Sequence, residues 1–105
     1  MNNRKLYSDI ARAAMLLRDI NLHIIGAKNL NEDELILYDD LSYWLWRMYT
    51  YGSGDDQVNI KETITNLNTI LDILEKHAIK TKSRKARKIK IGLVKKLREL
   101  ISKLK

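Results

Sequence analysis

No proline interrupts this chain, and its four glycines stand at Gly26, Gly52, Gly54 and Gly92, so long windows contain nothing that breaks a helix. Within those windows the apolar residues recur at alternating spacings of four and three, which draws one stripe along a helix. The first window, about residues 3–25, carries Leu6, Ile10, Ala13, Leu17, Ile20 and Ile24 in that rhythm. Asn31 with Glu34 reads as a capping box, and Glu32, Asp33 and Glu34 put negative charge where the helix dipole favours it. A second helix is therefore expected over 31–51, with Leu37, Leu41, Trp44, Met48 and Tyr51 inward, ended by Gly52-Ser53-Gly54-Asp55-Asp56. Asn59 with Glu62 repeats the signature and opens a third helix over 59–80, where Ile60, Ile64, Leu67, Leu71, Leu74 and Ala78 keep the spacing. Ser83 caps a fourth, over 83–104. Its inner side is Ala86, Ile89 or Lys90, Leu93, Leu97, Leu100 and Leu104, broadened by Val94 and Ile101, with Gly92 costing about 1 kcal/mol of propensity.

Four stripes of similar length joined by short links must bury one another, and the economical solution is an antiparallel up-down-up-down four-helix bundle. The expected fold is all-α, a single domain over residues 1–105 with a basic C-terminal helix over 79–105. There is no cysteine, hence no disulfide framework and no thiolate for metal or nucleophilic chemistry. No stretch approaches the roughly 20 apolar residues of a membrane-spanning helix, and the N-terminal segment does not read as a signal peptide. The chain is expected to be soluble and cytoplasmic.

Charge is unevenly divided. The last 27 residues hold twelve of the twenty basic side chains against a single acid, Glu99, a balance of +11, while the other 78 carry eight basic and twelve acidic groups, a balance of −4. Lys82, Arg84, Lys85, Arg87, Lys88 and Lys90 crowd the start of the fourth helix, where the positive end of the dipole makes each exposed cation unfavourable by roughly 0.3–1 kcal/mol. Folding alone does not select this arrangement. Phosphate oxygens would offset it, because free N–H groups, the dipole and the cations all point at them. The candidate nucleic-acid contacts are Lys80, Lys82, Arg84, Lys85, Arg87, Lys88, Lys90, Lys95 and Lys96. Competing readings are neutralisation by the acids of the second helix, a solvated lysine face, an acidic protein partner and, least favoured, an anionic membrane surface.

Six of the seven aromatic side chains lie between Tyr38 and Tyr51. At 100° per residue most share the broad apolar half of the second helix, but Tyr43 and Trp46 fall beside Ile36, Asp39 and Asp40 on the opposite arc. Ile36, Tyr43 and Trp46 are thus a candidate protein-interaction patch.

Signatures of catalysis are missing. No Glu or Asp interrupts an apolar stripe, and neither His23 nor His77 has a Glu three residues before it, so a di-iron bundle is not expected. Asp19 and His23, four apart, read as a surface pair, and His77 suits the C-terminal dipole of the third helix. Asp39-Asp40 and Asp55-Asp56 diverge or lack a scaffold, and Gly52-Ser53-Gly54 is not a phosphate loop. The expectation is a non-catalytic accessory or regulatory protein, without cofactor or metal, that binds DNA or RNA through backbone phosphates. The alternative is a protein-interaction module (adaptor, inhibitor or immunity-type) using the second helix or the basic one on an acidic partner, with a homodimer also open.

Overall fold

Local signals place each helix. The computed structural model describes residues 3–104, so Met1, Asn2 and Lys105 of the expected domain lie outside the described residues. Helix α1 spans Arg4–Ile25, α2 Glu32–Gly52, α3 Ile60–Ile79 and α4 Arg84–Ser102, with a short 3-10 turn at Ala27–Asn29 after α1. The capping box forms in full at α2: Glu34 N donates to Asn31 Oδ1 at 2.8 Å and Asn31 N to Glu34 Oε1 at 3.0 Å. Asn59 accepts from Glu62 N at 3.0 Å and Ser83 from Ala86 N at 3.2 Å, which starts α3 and α4. Gly26, at φ 81°, takes the left-handed turn that ends α1.

Each helix packs on its chain neighbours and α4 closes on α1, so α1 faces α3, and α2 faces α4, across the diagonals of an all-helical four-helix bundle measuring 46 × 20 × 19 Å. Leu41, Leu45, Met48, Leu67, Leu71 and Leu97 are fully enclosed at its centre. The loop after α2 is exposed from Ser53 to Gln57 and anchored by buried Val58. Arg4 ties it to α1, donating to Tyr51 O and to Asp56 Oδ1, both at 2.6 Å.

The stripe expected inside α1 is mostly not the one that is buried. Of its members Ile10 is enclosed and Leu17 partly so, whereas Leu6, Ala13, Ile20 and Ile24 are exposed; the enclosed side carries Ser8, Ile10, Ala11, Ala14 and Ile25. The cause is close approach to α2. Small side chains at Ser8, Ala11 and Ala14 let the two backbones draw together, and the polar groups on that side are satisfied there. Ser8 Oγ shares hydrogen bonds with Tyr49 O and Ser53 Oγ, and Arg18 Nε donates to Tyr38 O. Gly52 lies directly against α1, where a Cβ would fall on the backbone nitrogen of Ser8.

Two outcomes follow for stability. Gly52→Ala meets backbone rather than a movable side chain and is expected to cost about 1–3 kcal/mol in urea denaturation. Burial pushes the Tyr38 phenol well above its ordinary value, with Glu34 adding to the effect and Arg18 opposing it. Because the folded state holds this proton more tightly, its contribution is complete below the ordinary phenol range near pH 10 and is lost above it, by about 1.4 kcal/mol per pH unit. Stability measured from pH 9 to 11 should therefore fall more steeply in the native chain than in Tyr38→Phe.

Candidate nucleic-acid interface

The basic segment divides into cations that the fold consumes and cations that it leaves outside. Lys90 belongs to the first group, which corrects its place among the expected phosphate contacts. Its side chain is 2% exposed and Glu34's 3%, and the ammonium lies 2.9 Å from Glu34 Oε2, 3.0 Å from Glu34 Oε1 and 3.0 Å from Thr81 Oγ1. Thr81 Oγ1 in turn donates to His77 O at 3.2 Å. The ammonium's donors are satisfied, and a lysine held this way does not reach an outside phosphate. Its position is set by the α4 helix, on which Lys90 falls in the arc of Ala86, Leu93, Val94 and Leu97.

Arg87 is half-buried and its Nη1 donates to Thr81 O at 2.9 Å, so it chiefly holds the α3–α4 connection in shape. Arg98 turns toward α3, where its Nη2 donates to Asp72 Oδ1 at 2.7 Å and Glu75 Oε1 at 3.0 Å. The Asp72 hydrogen bond leads in holding the Arg98 proton more tightly, partly opposed by burial. The acids of α2 do little to cancel the rest. Glu34 takes Lys90 and Asp39 takes Arg18 at 3.6 Å, both away from the outer cations.

Lys80, Lys82, Arg84, Lys85, Lys88, Lys95, Lys96 and Lys103 are all exposed, and among the described residues none of them forms an ion pair. At 100° per residue they make two rows on α4, Arg84, Lys88 and Lys95 outermost and Lys85, Lys96 and Lys103 on the edge toward α1. From Arg84 to Lys103 the rows run about 28 Å. Lys80 and Lys82 extend the charge past the helix start. There, a cleft of about 440 Å³ opens between them, Lys28, His77 and the rim of the Lys90–Glu34 pair. The connection from α3 to α4 is held by Arg87 and Lys90 through Thr81, which gives these flexible lysines a fixed base.

The second candidate surface lies elsewhere. Ile36, Tyr43 and Trp46 are each about half exposed, and Trp46 stacks on Tyr49 with ring centroids 5.4 Å apart. Asp39 and Asp40 stand among them, so the patch is acidic where α4 is basic. Asp19 pairs with Arg18 at 2.6 Å rather than with His23. No described helix is long and apolar enough to cross a membrane.

Sequence reasoning missed the exposed side of α1 and placed Lys90 on both sides of the helix. The second error had a usable signal: Lys90 lies in the arc of Ala86 and Leu93, and Glu34 is the acid of α2 that falls in the arc of Leu41 and Leu45. Comparison with protein families, characterised proteins and solved structures finds no match, so the functional reading rests on this chain's own residues.

Removing one partner of the buried pair leaves an uncompensated charge. Lys90→Met alone is expected to destabilise the fold by about 3–5 kcal/mol, and adding Glu34→Gln should recover most of that loss, as read by thermal or urea unfolding.

Proposed function

We propose that this chain is a non-catalytic accessory protein that binds nucleic acid through the outer face of α4, chiefly by backbone phosphates. The observation that carries this reading is the set of eight exposed cations along α4 and its approach that have no carboxylate partner among the described residues. Placing Arg84 and Lys85 at the positive end of a helix dipole costs stability that a polyanion would offset. Base readout is minor, because no asparagine or glutamine stands among these cations.

Affinity for duplex or single-stranded nucleic acid should fall with salt, log K declining by about 0.9 per neutralised duplex phosphate. Changing Arg84, Lys85, Lys88 and Lys95 together to glutamine should weaken binding at least about 100-fold near 50 mM salt and flatten the slope by about 3–4, with helicity unchanged. Absence of binding by the native chain at that salt would overturn the reading.

A second reading draws on the half-exposed Tyr43 and Trp46: α2 contacts another polypeptide, with these rings as anchors. This surface and α4 lie on different helices and are compatible.

A further inference from the structure

Helix α1 buries Ser8, Ala11 and Ala14 beside Ile10 and Ile25 and leaves three large aliphatic side chains outside. Ala11 and Ala14 are completely enclosed, while Leu16, Ile20 and Ile24 are 61%, 51% and 57% exposed. Spaced four apart, these three form a continuous ridge that drifts about 40° per step. The drift carries it toward α4, where Ile24 lines a shallow cleft with Ile89 and Lys85. On its α4 side the ridge is thus bordered by Lys85 and Lys96, with Glu99 the acid of that helix, while Lys103 lies at the far end of α4, next to the Leu104–Tyr7 contact. Nothing within the described residues covers it, and three large aliphatic side chains in one line make a contiguous apolar strip of the kind that marks a contact surface.

The α2 patch is a second leftover apolar surface, and it carries the opposite excess of charge. Ile36, Tyr43 and Trp46 supply apolar surface, Glu32, Asp39 and Asp40 supply charge, and half-buried Arg47 is the sole basic residue of that helix. One leftover face is aliphatic, with Lys85 and Lys96 on its α4 side and the Arg18-paired Asp19 on the other, and the second face is aromatic, with Glu32 and Asp40 beside it and Asp39 held by Arg18. We propose that the α1 ridge, with Lys85 and Lys96 beside it, docks the α2 face of a second copy of this chain. The proposal rests on the second reading, that α2 meets protein, and names that protein.

The two faces differ, so the contact is heterologous: each copy offers one face and retains the other, and association continues into a ring or a chain of copies. Trp46 and Tyr43 are the anchors, and the outermost row Arg84, Lys88 and Lys95 stays clear of the contact.

The test uses nuclease-treated full-length protein in sedimentation and light scattering from micromolar to millimolar concentration, with circular dichroism to verify folding. The native chain should grow in mass with concentration, while Ile20→Glu and Trp46→Glu, both at exposed positions, should each stay near the 12.3 kDa monomer. Mixing the two variants should restore a 1:1 dimer and stop there, because each retains the face that the other lacks. Leu16→Glu and Tyr43→Ala give the same readout should either first variant misfold. A native chain that remains monomeric overturns the proposal, as does a mixture that stays monomeric. Association lost with Trp46→Glu but unaffected by Ile20→Glu also overturns it, while leaving α2 as a protein contact between like faces.

Discussion

The ion pair between Glu34 and Lys90 joins two helices that are not neighbours around the bundle. α2 and α4 stand on a diagonal of the bundle, and this contact spans it, 56 residues apart in sequence. Withdrawing two charges from water costs several kcal/mol per ion, which is recovered only when every oxygen and every ammonium hydrogen finds a partner. Here each does. Glu34 accepts from Lys90 and from Asn31 N, while Lys90 reaches both carboxylate oxygens and Thr81. A helix cap, a diagonal contact and a loop anchor thereby become one network. Its loss would free the start of α2 and the approach to α4 together.

The rotation of α4 also decides which cations are available. With its apolar arc inward, Lys90 enters the network and Arg98 lies toward α3, while Arg84, Lys85, Lys88, Lys95 and Lys96 stay in solvent. Charge that the bundle needs and charge that it does not need are therefore separated along a single helix. The acids of α2 stay on the far side of the diagonal and do not neutralise the outer rows. A structural lysine and an exposed cationic surface coexist because the helix period puts them on opposite arcs.

Helix α1 illustrates the limit of periodicity. Two apolar arcs overlap on it, and hydrophobicity alone favours the one with Leu6, Ile20 and Ile24. Packing chose the one with Ser8, Ala11 and Ala14, and at Gly52 the backbone of α2 comes so close to Ser8 that no Cβ fits between them. Area removed from water does not by itself determine which face is buried; the volume available between two backbones also enters.

Helix number, bounds to within a few residues, caps and antiparallel order were all readable from the chain, since each depends on residues within a turn or two of one another. The exposed aromatics Tyr43 and Trp46 were likewise visible, being set by rotation about a single axis. The partner of Lys90, the inward face of α1 and the close approach of Gly52 to Ser8 were decided only by the tertiary structure. Each joins positions more than forty residues apart or balances two faces of nearly equal hydrophobicity, and such choices depend on the distance between helix axes, which no local pattern encodes.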